Sequence, residues 1–232
     1  MDRGTDLQVL YFAPEASGRH PELLERARAA GIPVRPLAAG VIERVADTKS
    51  PQSVLAVAPL ITVSLDSLDA EGLVLVAVDL NDPGNAGTLL RAAEAAGAAG
   101  VAADDDSVDV HQPKVVRASA GSIVGVPVVR DRRDAVTVIR SLTSRGRVVL
   151  AAVGSGGAAP EAVDLTGRVA IVLGGEARGL SPEVVAACSA GITLPMLEPV
   201  ESLNVAIAGA VLAFEAARQE RAAAGKPPRG RA

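Results

Sequence analysis

Three stretches of the chain carry residue types that could do chemistry. The first is DLNDPGNAGTLLRAAEAAGA at 79–98, where an apolar run passes through a Pro-Gly turn into a helical pattern. Asn85 is expected to cap that helix, whose free backbone N–H groups suit an anion such as a phosphate. Arg91, nearly two helical turns further on, is expected at the same edge. Taken alone, a cap and a solvated arginine explain the stretch better than a binding site does. The second is VLGGEARGLS at 172–181, in which Gly174 and Gly175 end a strand just before Glu176. Paired glycines there let a ligand approach the backbone, and ligands of parallel sheets sit beyond the carboxyl ends of the strands. The third is LPMLEPVESLNVAIAGAVLAFEAAR at 194–218, a loop with Pro195, Glu198 and Pro199 that runs to Ser202, the expected N-cap of a strongly apolar helix.

Other chemistries lack their residues. Gly84 and Gly87 satisfy neither the G-x-G-x-x-G dinucleotide fingerprint nor the phosphate loop G-x-x-x-x-G-K-[ST]. Cys188 is the single cysteine, which excludes an internal disulfide and a cysteine-built zinc site. His20 and His111 read as surface or loop residues, and no metal site is expected. The acidic run Asp104 to Asp106 reads as a solvated turn without a chemical role.

The elements that must position these residues alternate. In the N-terminal part, strands are expected at Leu7 to Ala13, Ile32 to Leu37 and Val54 to Ala58, with helices at Pro21 to Ala30 and Val41 to Ala46. After a Ser- and Asp-rich connection, strands are expected at 73–79, 100–103, 126–129, 147–153, 168–173 and 191–194. Helices at 85–96, 113–119, 134–144, 182–188 and about 203–221 lie between and after them. Such alternation indicates parallel βαβ units. The expected domains are therefore a small α/β unit over 1–66 and a larger α/β sheet domain over 67–224, followed by a flexible basic tail at 225–232.

Of the 232 residues, 49% are hydrophobic and 22% charged, enough to build a core. Tyr11, Phe12 and Phe214 are the only aromatic residues, so the core is aliphatic and base-stacking platforms are not expected. No run reaches the roughly 20 apolar residues of a membrane span, and no secretory leader is recognisable, so a cytoplasmic protein is expected. A net charge of −4 is mildly unfavourable for binding nucleic acid. Between Lys114 and Arg147, however, eight basic residues face only Asp131 and Asp134, a basic segment that suits either RNA or a solvated helix face.

Together the three stretches resemble, in order and in position, the three motifs of the SpoU/TrmH branch of the SPOUT RNA methyltransferases. The resemblance extends over KVVRASAGSIVGVPVV at 114–129 and so spans Leu73 to Arg218. The N-terminal part, ending in TKSPQSVLAVA, resembles the family's L30e-like substrate-binding domain, shortened at its start. The resemblance implies a C-terminal α/β sheet domain with a deep trefoil knot, a homodimer, and methylation of a ribose 2'-hydroxyl in RNA with S-adenosylmethionine as cofactor. It implies a cofactor site at Leu173, Gly174, Gly175, Glu176, Leu194, Met196, Ser202, Leu203 and Asn204. Arg91 matches the family's essential arginine, with Asn85, Glu176, Ser202 and Asn204 as its catalytic companions, and Arg117 matches a second, RNA-binding arginine. Two positions depart from the pattern. Glu198 and Pro199 occupy a loop often rich in glycine, and Ala177 stands where glycine is frequent. The expected substrate is 23S ribosomal RNA. The alternatives are transfer RNA, or a catalytically idle RNA-binding or ribosome-assembly protein of the same fold. Ribosome maturation and self-protection against a ribosome-targeting antibiotic are both compatible with the composition.

Overall fold

The computed structural model describes residues 6–46, 48, 50–68, 71–130, 133–176, 178–200 and 202–225. Ala177 and the expected basic tail from Lys226 onward lie outside the described residues. By its own packing the chain divides after Ile61 rather than after residue 66. The difference has a physical reason: Leu65 and Leu68 are buried with the strands of the second unit, so the connection belongs to that core.

The first unit contains β1 (Val9–Phe12), α1 (Ala16–Arg19), α2 (Pro21–Ala29), β2 (Val34–Pro36), α3 (Val41–Val45) and β3 (Val54–Val57). β1 is central, parallel to β2 and antiparallel to β3. Among its described residues the buried cluster is Leu10, Leu24 and Ala27, with Ala13, Ala16 and Ile42 also buried, a small core for an independent unit.

The second unit contains β4 (Val74–Val78), α4 (Pro83–Ala96), β5 (Gly100–Ala103), α5 (Pro113–Ala118), β6 (Val128–Arg130), α6 (Ala135–Ser144), β7 (Val148–Ala152), β8 (Val169–Gly174), α7 (Pro182–Ala187), β9 (Ala190–Ile192) and α8 (Val205–Ala223). Its six strands are all parallel in the order β6-β5-β4-β8-β7-β9. Every residue of β4 is buried, which is why its sequence is a continuous apolar run rather than an alternating one. Successive side chains still go to opposite faces. Leu75 and Ala77 pack with Leu89, Leu90 and Leu212 of α4 and α8, whereas Val74 and Val76 pack with Val138, Ile139 and Leu142 of α6. α4 and α8 lie close because Gly209 carries no Cβ, which would overlap Leu89 and Leu173.

Two helix starts differ from expectation. Asp82, not Asn85, caps α4: its Oδ1 accepts from the Asn85 N–H at 2.7 Å, and Pro83 fills the first helical position, where no N–H is needed. Asn204, not Ser202, caps α8, its Oδ1 accepting from the N–H groups of Ala206 at 3.0 Å and Ile207 at 3.2 Å. In both cases several good capping residues stand in one loop, and tertiary contacts select among them.

Asp104 is also not in a solvated turn. It is buried at the end of β5, where its Oδ1 accepts from the Asp79 N–H at 3.2 Å and the Ser107 hydroxyl at 2.6 Å. Burial pushes its carboxyl above the usual range, and the Ser107 hydrogen bond partly offsets this.

The basic segment is partly consumed by the fold. Arg147 is buried and donates to the carbonyls of Leu68, Gly72 at 2.7 Å and Val169 at 3.2 Å. Arg145 pairs with Asp66, and Arg130 with Asp109 at 3.4 Å. Among the described residues, no helix is long and apolar enough to cross a membrane.

Candidate functional site

Strands β7, β8 and β9 end side by side, and their carboxyl ends open into a cavity of about 460 Å³. β7 contributes Ala152 and the following Val153 and Gly154, β8 contributes Leu173 and Gly174, and β9 contributes Ile192. All nine residues expected to hold a cofactor line this cavity: Leu173, Gly174, Gly175, Glu176, Leu194, Met196, Ser202, Leu203 and Asn204. The sequence reading missed Ala152, Val153, Gly154, Arg178 and the inward face of α8 at Val205, Ala208 and Leu212. The glycine-rich run after β7 was an available signal, since a parallel strand ended there too.

The paired glycines are required by backbone packing. A Cβ on Gly175 would overlap the Asp79 carbonyl oxygen, and one on Gly174 would overlap the backbone at Gly179. The Gly175 N–H donates to the Val78 carbonyl at 2.8 Å, fixing the loop against the end of β4. Asp79 itself has φ of 52°, a left-handed conformation uncommon outside glycine, at the point where the two strand ends meet.

Three side chains from three distant stretches meet beside this loop. Asn85 Nδ2 donates to Glu176 Oε1, Asn204 Nδ2 donates to the same oxygen at 2.8 Å, and Asn204 Nδ2 also lies 3.0 Å from Asn85 Oδ1. Asn204 thus caps α8 with its oxygen and reaches the other two motifs with its nitrogen. Glu176 and Asn204 are exposed, so the cluster is open to an incoming molecule.

Arg91 is not part of this hydrogen-bonded set. Its side chain is exposed on α4 and makes no hydrogen bond or ion pair among the described residues. At about 100° per residue it lies roughly 120° around the helix from Asn85, so the two occupy different faces. Arg117 is exposed in the last turn of α5. Ser202 lines the cavity without capping the helix.

The remaining candidates do not gather into a second centre. Burial pushes the Cys188 thiol up to about 11, and its Sγ donates to the Val184 carbonyl, so it is a structural thiol rather than a nucleophile. His111 Nδ1 lies 3.8 Å from Asp109 Oδ1. Among the described residues, no three His, Cys, Asp or Glu side chains are placed to share a metal ion.

The cavity and cluster coincide with similarities to known proteins. Residues 72–214 match the sequence profile of the SpoU rRNA Methylase family. The chain is 32% identical over 225 residues to the 23S rRNA (guanosine-2'-O-)-methyltransferase RlmB of Ralstonia nicotianae, covering 91% of this chain and 87% of that protein. Its structure is similar to the AdoMet-bound rRNA methyltransferase from Sinorhizobium meliloti, with a TM-score of 0.79 and 30% identity over 94% of this chain and 82% of that one. It is also similar to the SpoU methyltransferase AviRb from Streptomyces viridochromogenes, with a TM-score of 0.82 and 25% identity over 97% of this chain and 86% of that one.

Proposed function

The chain belongs to the SpoU rRNA Methylase family, and on that premise we propose that it methylates a ribose 2'-hydroxyl of RNA, with S-adenosylmethionine as donor and 23S ribosomal RNA as substrate. The observation that carries this reading is the convergence of three motifs on one cavity edge, where Asn85, Glu176 and Asn204 are hydrogen-bonded to one another. The cavity's volume lies within the range of about 300–1,000 Å³ typical of small-molecule sites. Its walls combine aliphatic side chains, which suit a flat adenine, with a glycine-lined backbone that leaves N–H and C=O groups within reach.

When bound, S-adenosylmethionine supplies a methyl group already activated on a sulfonium. The residues of the chain then have to align the acceptor and stabilise charge. Leu173 to Glu176, Leu194, Met196 and Ser202 to Asn204 hold the donor. Asn85 and Asn204 fix the Glu176 carboxylate, and with it the loop after β8. Arg91 acts on the acceptor side, orienting a phosphate and stabilising negative charge that develops on the 2'-oxygen. It is not a base, because a guanidinium offers N–H donors and no acceptor site. As the O–CH3 bond forms and the S–CH3 bond breaks, the hydroxyl proton passes to solvent water and the donor leaves as the neutral thioether, and alignment of acceptor and methyl group supplies much of the acceleration. Arg117 contributes a phosphate contact outside the donor cavity.

The same reading extends to the architecture. A trefoil knot is what the family resemblance implies for this unit, in which β9 pairs with β7 at the sheet edge and α8 returns to pack on α4. The 157–158 segment meanwhile bonds to Gly191 and Thr193. The first unit serves as an L30e-like RNA-binding domain. A homodimer is supported by Leu203, Ile207, Val211 and Phe214, which are exposed along one side of the start of α8. A ribosomal RNA substrate is in keeping with a reaction in the cytoplasm.

The test is transfer of tritium from methyl-labelled S-adenosylmethionine to unmodified 23S ribosomal RNA and, separately, to bulk transfer RNA. Label at a single alkali-resistant linkage in the ribosomal RNA is the expected result. Label in transfer RNA alone would move the substrate, and bound cofactor without label in either RNA or assembled ribosomal particles would favour an idle RNA-binding protein.

A further inference from the structure

We propose that Arg178 binds the α-carboxylate of the cofactor's amino-acid end, an inference that rests on the S-adenosylmethionine reading above. The cavity is lined by two charged side chains among the described residues, Glu176 and Arg178, of opposite sign and two positions apart in the loop after β8. Glu176 is already engaged by the amides of Asn85 and Asn204. Arg178 is not engaged: its side chain is exposed and makes no hydrogen bond or ion pair among the described residues.

The ligand's charges match this pair. S-adenosylmethionine carries a cationic sulfonium, a cationic ammonium and a single anion, the carboxylate. A planar guanidinium recognises a carboxylate through two parallel N–H···O bonds, which no other side chain lining the cavity among the described residues can offer. The neighbouring carboxylate of Glu176 favours the cationic groups of the same molecule.

A second feature makes Arg178 more than an ordinary surface charge. Arg178 and Gly179 also line an adjoining cavity of about 560 Å³ that contains Asp79, Asp104, Asp106, Asp134 and Glu183. That acidic surface repels a carboxylate arriving next door, and Arg178 stands where the two cavities meet. Removing it deletes the attractive charge and exposes the cofactor's anion to the repulsive field, so the loss exceeds that of a lone exposed pair.

The experiment is calorimetric titration of the full chain and of the variants R178Q and R178K with S-adenosylmethionine and with its decarboxylated analogue, at low and at physiological salt. For the wild type, S-adenosylmethionine should bind about tenfold more tightly than the analogue, the scale of one charge-assisted hydrogen-bonded pair. R178Q should erase that preference by weakening S-adenosylmethionine while leaving the analogue unchanged or tighter, and R178K should keep part of it. The preference should also shrink as salt is raised. Equal weakening of both ligands in R178Q, or a preference that survives in R178Q, overturns the assignment. Failure of the wild type to bind S-adenosylmethionine at all would instead overturn the cofactor reading, and this assignment with it.

Discussion

The two edges of the parallel sheet are both rich in polar groups, but they spend them differently. At the amino edge, Arg147 is committed to three backbone carbonyls. Gln219 accepts from the Leu165 N–H at 2.9 Å and donates to the carbonyls of Pro160 and Val163, while Glu220 accepts from the Gly167 N–H at 2.6 Å. These side chains finish the fold by satisfying backbone at the strand starts and in the connections between them. At the carboxyl edge, Asn85, Glu176 and Asn204 are bonded chiefly to one another and face solvent, and the backbone beside them is glycine. Polar density alone therefore does not mark a site. What marks it is polar side chains held by each other next to an open cavity.

Substitutions at the two edges should separate accordingly. The largest effect is expected for Arg91→Ala, which should lower methyl transfer by about 10²–10³-fold, as loss of a group that stabilises developing charge does. Cofactor affinity and melting temperature should stay near those of the wild type; a parallel loss of affinity would move Arg91 into the donor site. Next, Arg147→Ala leaves buried carbonyls without their donor and should cost about 3 kcal/mol of stability by denaturant unfolding. The protein that remains folded should bind S-adenosylmethionine normally, and a selective loss of binding would break the division between the edges. Asn204→Ala spans fold and site. It removes the cap of α8, at about 1 kcal/mol, and should also weaken cofactor binding; a loss of stability with unchanged affinity would make Asn204 structural only.

The smallest effect concerns pH, and the edges should differ in sign. Asp104, at the carboxyl edge, has its carboxyl raised above 3.8 by burial. The folded chain binds that proton more readily than the unfolded chain, so this contribution to stability is full below 3.8 and is lost as pH rises through the raised value. Glu215 on α8 is lowered to about 2 by the hydrogen bonds from Arg218 and Gln219. Its contribution is present above about 4.5, the ordinary value, and is lost as pH falls towards 2. Stability curves between pH 2 and 7 should therefore flatten in opposite directions in Asp104→Asn and Glu215→Gln.

Much of this was legible in the sequence, for identifiable reasons. Strands such as β4 and β8 are continuous apolar runs bounded by Gly and Asp, and helices such as α6 have a clear apolar stripe behind Asp134, so both stand out locally. The residues proposed to hold the donor were legible through the resemblance of VLGGEARGLS and LPMLEPVESLN to the family's motifs, and of these only the paired glycines Gly174 and Gly175 stood out locally, at a strand end. The caps were not: Asp82 and Asn204 compete with Asn85 and Ser202 within three residues, and only contacts across 91 and 119 positions of sequence fix which side chain turns inward. Asp104 likewise looks like part of an exposed acidic run until Ser107 and the Asp79 N–H are brought against it. Arg147 reads as surface charge for the same reason, since its carbonyl partners belong to β8 and to the connection before β4.

The most direct test of the central claim is hydrogen–deuterium exchange with and without saturating S-adenosylmethionine. Protection should appear at 152–154, 173–180 and 194–208, with 160–168 and 215–221 unchanged. Protection concentrated at the amino edge, or none anywhere at saturating cofactor, would contradict the assignment of donor binding to the carboxyl edge of the sheet.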